Sequence, residues 1–561
     1  MKKLVLLVLL CLSVFVVEQG CYLPLDDPGF RCGADLTCPA SFPYCMDGVC
    51  QSCTTNLDCS ASQACQKWKC SDCKNNFCEW SVTWNTRETF RPSDEEDRQQ
   101  KLLQHQTHMH PLPKSLGGWV GWIAYTSLLQ TGEQNIKKGV GSILPFPIGQ
   151  NGVKLWLGWF SAPNKLSHSS TLEGFINEGT IFSTSDVQGN LYLTGVFQDS
   201  LRWSEKKEPL LEPKGINATG NFPSIFVLKL SPKGELVWTQ QVVGDLALLG
   251  KGTSPCGLAA ADKNLFLVGK ADQGILQVGD QTQERKKPHI YTVVLDTETG
   301  SLVRFQALEG DTFIQCGSVA ANATGLALTG SFRGQLSVGS QQFNQSKTNA
   351  MFVFWSKLDG SSVALNASQP SEDSAEADGI SVSLDTQGVV YITGSYRGTV
   401  AWGNKTFASP SATQKAMFVT AWEPGKDFRW TLSSRGVGEH TAQAIAVSPS
   451  GKPVVAGMFR GAISLGSKQL TTKSTSQLFV ATLKPDGSFE AVQTAQQGEK
   501  ERSASYGLSF DEEGNLYMSG SVQGNVRLGE SLIQSWLKPA APSSEALPLL
   551  FWWRPLSSSF P

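Results

Sequence analysis

The stretch GNLYLTGVFQDSLRW, residues 189–203, reads as a strand, a glycine and a second strand. Leu191 and Leu193 point one way and Tyr192 and Thr194 the other, the period-2 pattern of a half-buried strand. The phrase returns as NLYMSGSVQGNVRLG at 515–529. Between the two lie NLFLVGKADQGILQVG, GLALTGSFRGQLSVG, VVYITGSYRGTVAWG and PVVAGMFRGAISLG. The glycines that close the first strand of each copy are Gly195, Gly269, Gly330, Gly394, Gly457 and Gly520, separated by 74, 61, 64, 63 and 63 residues. The longest interval holds a polar insertion, 204–224.

A second landmark keeps step. An aromatic-led strand follows each hairpin, at Phe226, Tyr291, Phe352, Phe418 and Phe479, and a turn and another strand come after it. Four strands in about 60 residues is the pattern of a propeller blade. KLWLGWFSAPNKLSHSS, 154–170, matches the aromatic half of an earlier copy, and one period back from Gly195 lands on Gly132. Phe551 takes the aromatic position of the last copy. The expected fold class is all-β, a β-propeller of seven four-stranded blades, preceded by a small disulfide-rich module. A glycine at the end of "LYLTG" removes bulk and permits a bend; the second glycine of "FRG" or "VQG" suits a tight turn.

The N-terminus has Lys2 and Lys3 followed by an apolar run from Leu4 to Val17, shorter than the roughly 20 residues a membrane span needs. It reads as a secretion signal, residues 1–20. Fourteen cysteines are spread unevenly. Cys32, Cys38, Cys45, Cys50, Cys53, Cys59, Cys65, Cys70, Cys73 and Cys78 form two copies of one spacing, and only Cys256 and Cys316 lie beyond. Downstream of a secretion signal this predicts a disulfide-stapled module at 32–80, joined to the signal by a tether at 21–31. The pairs Cys50/Cys53 and Cys70/Cys73 have zinc-ribbon spacing, but an oxidising compartment favours bridges. Cys256 and Cys316 sit 13 and 14 residues before their closing glycines, so adjacent blades carry them at matching places. A bridge between blades is expected if the pair lies within about 7 Å; free buried thiols are the alternative.

Residues 81–116 are polar with prolines at both ends and read as a linker, solvating His105, His108 and His110; the propeller is then 117–561. Arg333, Arg397 and Arg460 share one turn position in three copies. Two readings stand: a rim for anions, or exposed turn residues bonded to their own or a neighbouring blade.

The repeats resemble the bacterial β-propeller repeat of secreted and surface proteins, with its recurring G-N-x-Y-[VI]-T-G core, over roughly four fifths of the chain. The ending EQGC at Cys21 resembles a bacterial lipoprotein signal, although Glu18 departs from the small aliphatic residue usual there. This resemblance implies lipidation of Cys21, and Tyr22 after it implies the outer membrane or surface of a Gram-negative cell. The alternative is ordinary cleavage and secretion, leaving Cys21 to pair or stay free.

No hydrolase, zincin, Walker or dinucleotide phrase occurs in the repeats. Short acidic turns such as DEEGN fall short of a calcium loop. A formal net charge of −2 gives no footprint for nucleic acid. The expected function is a non-catalytic binding or scaffold protein without a cofactor or metal. Its partners are the membrane, through the lipid, and an envelope protein or polysaccharide. The alternative is a propeller enzyme acting on an extracellular polysaccharide or peptide.

Overall fold

In a computed structural model the protein is all-β, with no helix among the described residues. These are 102–127, 152–203, 208–213, 223–244 and 254–534, apart from gaps of one or two positions, with short stretches at 30–31, 44–51, 63–72, 81–85 and 547–553. The chain divides into two compact units, chiefly Met1–Cys78 and Glu79–Pro555.

In the first unit, Tyr44–Met46 pairs with Val49–Gln51 and Gln63–Gln66 with Lys69–Asp72. These hairpins set Cys45 opposite Cys50 and Cys65 opposite Cys70. The duplication read from cysteine spacing is therefore also one of backbone register. Cys21 and the remaining cysteines from Cys32 to Cys78 lie outside the described residues.

The second unit is a succession of antiparallel four-stranded meanders, labelled I to VII. Meander I comprises Leu102–Pro111, Trp119–Ser127, Gly152–Ala162 and Lys165–Asn177. Meander II has Phe182–Ser185, Leu191–Phe197, Ser224–Leu230 and Leu236–Gly244, and III has Ser254–Ala261, Asn264–Ala271, His289–Asp296 and Leu302–Gly310. Meander IV runs Phe313–Asn322, Gly325–Val338, Gln341–Ser356 and Val363–Ala367. Meander V follows with Glu376–Leu384, Val390–Arg397, Ala416–Trp422 and Phe428–Ser433. Meander VI is His440–Val447, Pro453–Leu465, Lys468–Leu483 and Phe489–Thr494. Meander VII takes Arg502–Phe510, Leu516–Gln523 and Leu547–Trp553, and its fourth strand is Ser81–Asn85, from the other end of the unit.

Two strands thus fall inside 81–116, which corrects the linker reading. Ser81–Asn85 pairs along Leu547–Trp553, and Leu102–Pro111 pairs along Trp119–Ser127. Polar composition misled there, because the partner of Ser81–Asn85 is remote in sequence and because polar His110 is buried beside Met109.

Leu191–Phe197 is also more deeply placed than its alternation implied: every residue of it is buried. Leu191, Leu193 and Phe197 pack with Val120, Leu155 and Trp159 of meander I, whereas Tyr192 and Val196 pack with Leu265, Leu267 and Tyr291 of meander III. Each face of the sheet is covered by a different neighbour, so alternation here separates two interfaces rather than core from solvent.

The first strands also adjoin one another in chain order, I to II and onward to VII, and that of VII lies against that of I. A second contact recurs outside this ring. From I to VI, the fourth strand or the residues just after it pair with an arm that follows the second strand of the next meander. Leu172 meets Trp203, Val242 meets Val278, Glu309 meets Ser337, Gln369 meets Ala401, Arg435 meets Ser464, and Gln496 meets Arg527.

The closing glycines lie directly opposite the aromatic landmark. Gly195 faces Phe226, Gly269 Tyr291, Gly330 Phe352, Gly394 Phe418 and Gly457 Phe479. In VII the register sets Gly520 opposite Leu549, so Leu549 and not Phe551 holds the aromatic position. None of the six has a positive φ. Their role is space rather than a special bend: a Cβ on Gly394 would stand 1.9 Å from Asp378 O, and one on Gly457 2.1 Å from Thr441 O. The turn glycines do need the left-handed region, with φ of 90° at Gly334 and 70° at Gly398.

Gly132 lies outside the described residues. The position matching a closing glycine in meander I is Tyr125, opposite Gln104 just before a bulge and opposite Lys154 on the third strand.

Candidate functional site

The first strands hold the side chains with the most chemical potential, and a β-bulge shapes each from III to VII. The register slips at Pro255/Gly257, Cys316/Ser318, Gly379/Ser381, Ala442/Ala444 and Ser505/Gly507, always opposite the closing glycine. The extra residues are Cys256, Gly317, Ile380, Gln443 and Tyr506. A bulge turns successive side chains out of strict alternation. The extra residue of one meander thereby reaches the residue before the bulge in the next.

Cys256 and Cys316 occupy these two places, and they form a disulfide with a Cα–Cα distance of 6.0 Å. The one-residue offset seen in sequence is what lets them meet. Gly317 and Gly379 hold the same relation one junction on, where a Cβ on Gly317 would stand 2.1 Å from Gly379 O. Gln443 and Ser505 take the matching register positions in VI and VII, and Gln443 Oε1 and Ser505 Oγ are buried without a hydrogen-bond partner.

Where the first strands of V and VI begin, charged groups gather. Arg397 Nε lies 3.1 Å from Glu376, and Lys415 Nζ lies 3.7 Å from Glu376 and 3.5 Å from Asp378. The Lys415 backbone N–H donates to Glu439 at 3.3 Å. Arg333 stacks over Phe313, 5.4 Å from the ring centre. The Arg460 backbone N–H donates to Glu439 O. Arg333, exposed, and Arg397, half-buried, therefore bind their own meander through their side chains, and both lie on strands rather than in turns. Sequence reading missed Glu376, Asp378 and Glu439, although Glu376 and Glu439 each stand 18 residues before their closing glycines Gly394 and Gly457, a shared phase that could have marked them.

Three histidine–serine contacts can be tested for catalysis. His440 Nε2 donates to Ala462 O at 2.9 Å, so Nδ1 accepts from Ser434 at 3.0 Å. That hydroxyl in turn accepts the Met417 N–H, and both side chains are buried. Burial holds the His440 imidazole below its usual range. The group is a structural tie. His168 Nε2 lies 3.0 Å from Ser170, two residues along one strand. His110 Nε2 lies 2.7 Å from Ser183 Oγ, which also accepts the Trp122 indole N–H at 2.7 Å. Donation from Ser183 to a neutral His110 satisfies all three groups and ties meander I to II. His289 Nδ1 contacts Lys287 O instead. Among the described residues no cluster of three or more metal-ligating side chains occurs.

The acidic turns are closed on themselves. Asp186 accepts the N–H groups of Gln188 and Asn190 and the Tyr192 hydroxyl, and Asp385 and Asp511 repeat this with Tyr391 and Tyr517. The D-x-x-G-x-x-Y phrase thus encodes a turn locked by its own carboxylate.

No family model matches the chain, and no curated protein matches it. Among solved structures it is similar to the quinohemoprotein alcohol dehydrogenase of Comamonas testosteroni, at 9% sequence identity and a TM-score of 0.33. The alignment covers 73% of this chain and 66% of that enzyme's, just under two thirds of its length. Likeness at that level assigns neither chemistry nor cofactor to this chain.

Proposed function

We propose that the protein is a seven-bladed β-propeller that acts as a non-catalytic binding or scaffold domain, tethered to the outer membrane or surface of a Gram-negative cell through a lipid on Cys21. The observation that carries this reading is the cyclic order of the first strands, with VII against I. Meanders II to V bury both faces against different neighbours, and the ends of meanders I to VI are clipped to the next arm. A ring built this way is stiff and offers its variable loops as contact sites. The lipid-signal resemblance at Cys21 supports the tether, and the duplicated cysteine module supports life in an oxidising compartment.

Replacement Cys21→Ala separates the anchor from the fold. Cell fractionation should show the variant released in soluble form; continued membrane retention rejects the anchor. Free-thiol titration of denatured, unreduced protein should find the cysteines between Cys32 and Cys78 oxidised. Binding of the purified protein to envelope fractions and polysaccharides tests the partner class.

A further inference from the structure

The junction between meanders VII and I holds a pair of neighbouring imidazoles, one half-buried and one buried, an arrangement found at no other described junction. Leu102–Pro111 brings His108 and His110 there, their ring centres 4.6 Å apart. A Cβ on Gly507 of VII would stand 2.2 Å from His108 Nδ1, so the imidazole lies directly against that glycine. Ser509 of VII donates to Met109 O at 2.9 Å, between the two histidines. On the other side His110 meets Ser183 of II.

Among the described strands around it, an imidazolium at this place would find no carboxylate. The strands packed against Leu102–Pro111 are Trp119–Ser127, Phe182–Ser185, Arg502–Phe510, Leu516–Gln523 and Leu547–Trp553. Their sequences hold no Asp or Glu; their titratable groups are Tyr125, Arg502, Tyr506 and Tyr517, and His105 lies on the histidine strand itself. A buried charge without a partner is strongly disfavoured. The charged group acting on His110 is His108, so a second proton meets repulsion from the first.

We propose that this place is an acid-released latch: proton uptake by His108 and His110 loosens the seat of the first strand of meander I against VII and II, while the junctions from III to VI hold. The strand that carries the two histidines is seated between VII and II, through Ser509 on one side and Ser183 on the other, so loosening acts at one defined place in the ring.

Burial pushes His108 down to about 4 and His110 below the usual range as well. Once the junction opens, the imidazoles regain ordinary values near 6.5. Between those limits the open form binds more protons than the closed one, so opening becomes easier as pH falls. For His108 alone this amounts to roughly 30-fold at pH 5 relative to pH 8.

Hydrogen exchange read by mass spectrometry on the full chain tests this, at pH 7.5 and pH 5 with intrinsic rates corrected. Peptides covering 102–111 and 502–523 should lose protection at least tenfold, whereas 376–397 and 440–465 keep theirs. The second of these contains buried His440, which lies beside Glu439 and serves as an internal control. Unchanged protection of 102–111 at pH 5 overturns the proposal, and so does equal loss everywhere, which would mean general acid unfolding. His108→Gln with His110→Gln should abolish the selective response. If that variant folds and still responds, the histidines are not the latch; if it does not fold, the wild-type comparison decides alone.

Discussion

A single Cβ is enough to separate two roles that the repeat glycines share in sequence. At Gly394 and Gly457 the added carbon would meet a backbone oxygen of the bulged first strand, which cannot rotate away. At Gly195 its nearest neighbour is the Phe226 ring at 2.9 Å, a side chain able to shift. Gly394→Ala should therefore cost about 1–3 kcal/mol or somewhat more, and Gly195→Ala distinctly less. Chemical denaturation of the two variants checks the order. Gly451, with φ of 80° and open space around its Cβ position, should lose about 1 kcal/mol on replacement by Ala through conformation alone. The positions of these glycines were legible from the period. Their reason was not, because it depends on a bulge in another strand that leaves no mark in the glycine's own neighbourhood.

Bulges set which residues meet between neighbouring first strands. Cys256 and Cys316 show the rule with a covalent bond, and Gln443 and Ser505 stand at the matching places without one. Gln443→Cys with Ser505→Cys should oxidise spontaneously to a disulfide, visible as protection from alkylation. Failure to form it would show that the register rule does not extend from the III–IV junction to VI–VII. In the other direction, Cys256→Ala with Cys316→Ala should lower stability by about 2–4 kcal/mol. The sequence placed both cysteines one residue apart in phase and left the bridge open. The bulge resolves it, because an extra residue changes which neighbour a side chain faces. Strand alternation was similarly readable as a period, but not the fact that both faces are interior: Leu and Tyr look alike whether the second face meets water or another sheet. The candidate site was less legible than the fold. Glu376 and Asp378 stand on the first strand of V and Lys415 just before its third, and nothing in either segment announces the other.

At the scale of the whole propeller-like unit, meander VII depends on a strand from the far end of the chain. Removing residues 79–86 should uncover the edge of Leu547–Trp553 and lower the thermal midpoint. Limited proteolysis should then cut first within 535–553. An unchanged midpoint and cleavage pattern would mean that Ser81–Asn85 adds nothing to closure. The polar stretch that carries this strand was read as a linker because its partner lies about 460 residues away, beyond the reach of any local pattern. The lip charges add little by comparison, since half-exposed ion pairs contribute on the order of 0–1 kcal/mol each.

That same strand gives the molecule an order of birth. Ser81–Asn85 leaves the ribosome about 460 residues before Leu550, its partner, emerges. At roughly 5–20 residues per second this is a wait of about 20–90 s. Throughout it, one end of the future ring has a strand with no sheet to join, and the histidine strand has no last meander to rest on. Completion thus waits for Leu547–Trp553, and a chain stopped anywhere before residue 547 carries an unfilled position at both ends.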